Sequence, residues 1–129
     1  MALEALEHYT IQCADLTGTR DFYRDVLGLV DGPRPNFGFS GHWMYCGDVP
    51  VVHLMGADHV RPQDGGGAPK TETGAFDHIA FRGSDAAATV ANLKARGIEF
   101  RARDVPDIGL HQVFVRDPNG IMIEMNFRK

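Results

Sequence analysis

Apolar and polar positions along the 129-residue chain follow two alternating periods, and the periods change in the same order twice. HYTIQC (8–13) and HIAFR (78–82) carry β-favouring residues in the alternating or unbroken apolar runs of half-buried strands. A helical period follows each. Phe22, Val26 and Leu27 share one face in the first half, and Ala87, Val90 and Leu93 share one in the second. Asp15 or Thr17 caps the first helix and Gly28 stops it; Ser84 or Asp85 caps the second and Gly97 stops it. Then come GLVDG and GIEFRARD, FGFSGHWMYC and LHQVFVR, VPVVHLM and GIMIEMNF, with Pro118, Asn119 and Gly120 marking the last hairpin turn. The pattern predicts an α+β fold made of two βαβββ units.

The two halves align as an internal repeat with a period of about 70 residues, which places unit one at about 5–56 and unit two at about 75–127. His8 falls on His78, Asp15 on Asp85, Trp43 on Phe114 and His53 on Glu124. The segment between the units, about 57–74, is rich in Gly, Pro and polar residues with no apolar period, and reads as a linker. Its three consecutive glycines lack the flanking strand, helix and Lys-Ser or Lys-Thr pair of a phosphate loop.

Composition narrows the function. The chain is 43% hydrophobic and 23% charged, within the range of ordinary globular domains. Lys and Arg number 13 against 17 Asp and Glu, a formal charge of -4, so no basic field exists to attract nucleic acid or anionic lipid. No apolar run approaches the roughly 20 residues that span a bilayer, and the start MALEALEHYT is acidic where a signal peptide is basic. Two cysteines, Cys13 and Cys46, make neither a disulfide framework nor a metal knuckle. The expectation is a soluble cytoplasmic protein with reduced thiols and a small-molecule substrate.

Chemistry concentrates at the matched positions. A strand has a side-chain period of two, so residues on the first and last strands of a unit share a face if those strands are neighbours. Unit one supplies His8 and His53 in this way, and unit two supplies His78 and Glu124. If the units face each other about a pseudo-two-fold axis, three imidazoles and a carboxylate meet, a donor set for a divalent metal: Fe(II), or Mn, Ni or Zn. Glu124 lies between Ile123 and Met125, where a carboxylate is costly to bury unless paired or bound to a cation. Trp43 and Phe114, each ten residues before a candidate ligand, are placed to form an aromatic wall of the substrate pocket. His42, His59 and His111 lack such partners and read as rim or solvated residues, and Arg34, Arg61 and Lys70 are too scattered to mark an anion site.

The opening HYTI, the helix text FYRDVLGL, the start DHIAF of unit two and the ending QVFVRDPNGIMIEMNF together make the chain resemble the vicinal oxygen chelate superfamily of glyoxalases, bleomycin-resistance proteins and extradiol dioxygenases. The resemblance covers roughly residues 5 to 127. It implies paired βαβββ units in a half-open mixed-sheet barrel around a divalent metal, in a homodimer, with His8, His78 and Glu124 at the common ligand positions. At the fourth position glyoxalase I-like enzymes carry Glu and epimerases Gln. His53 there looks like the acid-base His of extradiol dioxygenases, so the lean is towards an Fe(II) dioxygenase in which His53 moves a proton. Phe114 departs from that pattern, which expects Tyr. The alternatives are a glyoxalase I-like lyase or epimerase, in which Ni, Zn or Co is held by all four residues and Glu124 takes an acidic C–H proton, and an antibiotic-binding resistance protein without catalysis.

Overall fold

The structure, a computed structural model, describes residues 2–58 and 73–128. Its contacts divide the chain into two compact units, residues 1–70 and 71–129. His59, Arg61 and Lys70 lie outside the described residues, as does most of the expected linker.

Unit one runs β1 (Tyr9–Gln12), α1 (Leu16–Asp25), β2 (Val30–Gly32), β3 (Gly41–Cys46) and β4 (Val49–Met55). Unit two runs β5 (His78–Gly83), α2 (Ala86–Ala95), β6 (Arg101–Val105), β7 (Leu110–Arg116) and β8 (Met122–Arg128), with a short 3-10 turn at Pro106–Ile108 between β6 and β7. The strand orders are β1-β4-β3-β2 and β5-β8-β7-β6. In each sheet the first strand pairs parallel with the last and the remaining pairs are antiparallel, which yields the expected βαβββ arrangement twice. Parallel neighbours require a crossover, and the helix after each first strand supplies it.

The helices start and stop as their sequence dictates. The Asp15 carboxylate accepts from Gly18 N at 2.9 Å and that of Asp85 from Ala88 N at 3.0 Å, each satisfying an orphan donor of the first turn. Gly28 (φ 77°) and Gly97 (φ 66°) take the left-handed conformation just beyond the two C-termini. α1 lies against β2, β3 and β4 and buries Thr19, Phe22 and Tyr23. α2 lies against β7 and buries Leu93; Ala87, expected on its inner face, is exposed instead, because this helix of small residues turns only its later part to the sheet.

Strand alternation then decides what each sheet offers on its two faces. In unit one Ile11, Met44, Val52 and Leu54 are buried, while Thr10, Trp43 and His53 stand in one row on the opposite face. In unit two Val113, Val115, Ile123 and Met125 are buried, and Ala80, Glu124, Phe114 and Arg101 form the corresponding row. Burying each such aliphatic side chain is worth about 1.5–3 kcal/mol, so a one-residue register slip, which would exchange the faces, is strongly disfavoured. The apolar faces thereby fix the positions of the polar ones.

The last hairpin shows the same economy. Asp117 is buried, and its Oδ1 accepts from Asn119 N and Ile121 N, both at 2.8 Å, while Gly120 takes φ 84°. This side chain replaces the backbone acceptors that a turn lacks.

Candidate functional site

In unit one, His8 immediately precedes β1 and His53 lies on β4, its parallel neighbour. Their imidazoles stack with centroids 3.7 Å apart and 13° between planes, and Trp43 covers the other side of His53 at 4.1 Å and 11°. His53 is thus the middle ring of three. The Pro50 backbone bonds it, while its Nε2 is buried with no hydrogen-bond partner among the described residues. An orphaned buried nitrogen costs about 1–3 kcal/mol. Burial first, and the neighbouring His8 second, push the His53 imidazole below the usual histidine range, which keeps it neutral with a lone pair to offer.

His8 is oriented from outside the stack: its Nδ1 lies 2.9 Å from Glu7 Oε1. Unit two repeats the device, with His78 Nδ1 2.7 Å from Asp77 Oδ2. A carboxylate on one ring nitrogen fixes the tautomer and leaves Nε2 as the donor, the usual support of a metal-binding histidine. The hydrogen bond to Asp77, with Glu124 as a weaker contributor, holds the His78 imidazole above the usual range.

Glu124 lies on β8 beside β5, with its Oε1 3.6 Å from His78 Nε2 and its side chain 13% exposed. Asn126 Nδ2 donates to its other oxygen at 2.8 Å. That bond belongs to a chain across three strands: Gln112 Nε2 donates to Asn126 Oδ1 at 3.0 Å, and Arg103 Nε donates to Gln112 Oε1 at 2.6 Å. His78 and Glu124 open onto a cleft of about 350 Å³ within unit two, whose wall includes Phe114, Arg101, Arg103 and Arg116. Sequence reasoning missed Asn126, Gln112 and these arginines. The period-two text RARD and the end of LHQVFVR carried the signal, but only the β6–β7 register brings the guanidinium groups together.

The sequence-derived residues therefore come together in pairs, His8 with His53 and His78 with Glu124. Among the described residues no group of three or more His, Cys, Asp or Glu is arranged to hold an ion. Trp43 stacks on His53, and Phe114 stands directly opposite Glu124 across β7 and β8. His42 and His111 are half-buried and engaged elsewhere, His42 with Asp31 at 3.0 Å and His111 with Asp104 at 2.7 Å. Cys13 is buried and Cys46 exposed, and neither is in a disulfide. No helix among the described residues is long and apolar enough to cross a membrane.

The family model described as the Glyoxalase/Bleomycin resistance protein/Dioxygenase superfamily matches residues 5–125. The chain belongs to that superfamily. Its relatives in it include Glyoxylase I 4 of Arabidopsis thaliana, 30% identical over 127 residues that span 95% of this chain and 70% of the relative. Another is the mitochondrial methylmalonyl-CoA epimerase of Mus musculus, 28% identical over 133 residues covering 95% and 72% of the two chains. Among solved structures, an antibiotic binding protein from Streptomyces superposes with a TM-score of 0.70 at 21% identity, over 100% of this chain and 99% of the other, which bears on the fold alone. Members of the superfamily bind small molecules and generally use divalent metals.

Each pair by itself has the chemistry such a metal takes. In unit two, His78 Nε2 and Glu124 Oε1 stand 3.6 Å apart, within the roughly 4.2 Å that two bonds of about 2.1 Å can span. In unit one, the buried Nε2 of His53 offers a lone pair that no described group satisfies.

Proposed function

We propose that the chain is a divalent-metal-dependent enzyme that moves a proton on a carbon beside a carbonyl, in a small substrate that chelates through neighbouring oxygens. His8, His53, His78 and Glu124 would hold the ion. Bound there, the ion would polarise the substrate carbonyl and stabilise negative charge developing on its oxygen. The rest is done by the chain. Glu7 and Asp77 hold the two imidazoles that begin the units, each through Nδ1, so that Nε2 is the nitrogen left to face the ion. Glu124, which lines the cleft, is tethered through Oε2 by Asn126, while its Oε1, 3.6 Å from His78 Nε2, is left to accept the proton. Phe114, opposite Glu124 on β7, gives the cleft an apolar surface beside that carboxylate.

The observation that carries this reading is the one-sided tether of Glu124. A carboxylate held by one oxygen, 3.6 Å from an imidazole rather than locked in a tight ion pair, is equipped to alternate between ligand and base. Likeness to a glyoxylase I and an epimerase supports the same proton chemistry. A second reading, extradiol-type dioxygenase chemistry with Fe(II), is favoured by one feature: position 53 carries a neutral imidazole where a carboxylate would add charge.

Metal analysis of protein purified anaerobically without an affinity tag, followed by hemithioacetal isomerisation, epimerisation and catechol oxygen-uptake assays on one sample, tests both. Nickel, zinc or cobalt with isomerisation is the expected result. Iron with oxygen uptake replaces it with the second reading, and failure to retain or take up any divalent ion overturns both.

A further inference from the structure

The acidic chain carries an unusual concentration of positive charge on one sheet face. Arg101 and Arg103 on β6 and Arg116 on β7 line the cleft that also holds His78 and Glu124. Against them the cleft sets two carboxylates. Glu124 is already bonded to Asn126, and the outward-pointing Asp77 to His78. None of the three guanidinium groups makes an ion pair with a carboxylate among the described residues.

These arginines are also held in place. The three arginines are exposed, but the guanidinium carbons of Arg101 and Arg103 lie over the Phe114 ring, 5.6 and 5.8 Å from its centroid, within cation–π reach. Arg103 is further fixed by Gln112, a buried amide, and Arg116 Nη1 donates to Gly120 O at 3.0 Å. Planar guanidinium groups anchored through a ring face or one nitrogen keep their remaining N–H donors for a second partner, and oxyanions match that fork.

We propose that Arg101, Arg103 and Arg116 form an anion-recognition subsite, so that the substrate carries a carboxylate or phosphate group in addition to the oxygens at its reacting end. The register sets its reach. Glu124, Phe114 and Arg101 stand in one row on three adjacent strands. With about 4.8 Å between strands and two of the guanidinium groups leaning over the intervening Phe114, the anionic group lies within about 10 Å of the reacting end. The inference rests on the reading of His78 and Glu124 as the reacting end, but the subsite's affinity for anions does not depend on a bound metal.

The test is titration calorimetry of the full chain after chelator treatment, with glutarate, inorganic pyrophosphate and neutral glutaramide as probes. Glutarate or pyrophosphate binds, with an affinity that weakens as salt is added, and glutaramide does not. Arg101→Gln weakens binding about tenfold or more and Arg101→Lys less. Preference for glutarate identifies a carboxylate and preference for pyrophosphate a phosphate. Equal affinities for glutarate and glutaramide, or unchanged anion binding in both Arg101→Gln and Arg103→Gln variants whose melting matches the parent, overturn the proposal. Metal analysis of the untreated protein reports on the other reading separately: lost metal with arginine-dependent anion binding sinks only the enzyme assignment, and retained metal without it sinks only the subsite.

Discussion

Asn126 and Glu124, two residues apart on β8, are joined by a 2.8 Å hydrogen bond from the amide to Oε2, so the carboxylate is aimed by its own strand. Removing the amide in Asn126→Ala leaves every candidate donor in place and frees only the orientation of Glu124. Metal affinity then falls by about 10–100-fold, as losses of such supporting partners typically do. Competition against a chromogenic chelator reads this directly, and an unchanged affinity would dissociate the Arg103–Gln112–Asn126 chain from the site.

The orphaned Nε2 of His53 makes a prediction that depends on metal. In metal-free protein, His53→Phe keeps a ring between His8 and Trp43 and deletes the unsatisfied nitrogen, but also loses the bond to the Pro50 backbone; the two effects, each about 1 kcal/mol, offset, so stability changes little. With metal present the parent is the more stable, because only it gains binding energy. Paired melts with and without chelator suffice, and the same difference between parent and variant in both would contradict it.

Specificity among histidines is checked by His78→Ala against His111→Ala. His111 is opposite Phe127 in the register, on the face away from Glu124, and is bonded to Asp104. Metal content of the purified protein drops to background in the first variant and is retained in the second; equal contents in both would remove His78 from the ligand set.

How much of this could be read from the chain varies with what fixed each feature. The two βαβββ units were legible because caps, stops and periods recur at Asp15 and Asp85, and at Gly28 and Gly97, each acting within a few residues of itself. The sixth strand was read early, from the run GIEFRARD, whereas β6 begins at Arg101. The Ile98 amide closes the end of α2 on Leu93 O, so helix termination claims part of a β-favouring run. The partners of Glu124 were not legible at all. Asn126, Gln112 and Arg103 belong to three strands, and only their register aligns them.

The buried turn before β8 gives a stability prediction independent of function. Asp117→Ala removes the acceptor of two backbone amides and costs about 1–3 kcal/mol, read from urea unfolding with an unchanged m-value. A cost near zero would mean that water replaces the carboxylate fully.

Gly83, at the end of β5, faces the Phe127 ring so closely that an added Cβ would stand 2.6 Å from it. Phe127 is buried and has little room to yield. Gly83→Ala should therefore cost about 1–3 kcal/mol by overpacking, measured by the same unfolding curves, and a neutral substitution would show that the ring repacks.

Each unit brings its first strand against its last, so both members of a donor pair are supplied within a single unit: His8 with His53, His78 with Glu124. A gene encoding one such unit would already specify such a pair. Duplication and fusion of that gene would carry the pair into both copies without any new strand pairing, and would release each copy to change one member alone, as the difference between His53 and Glu124 illustrates.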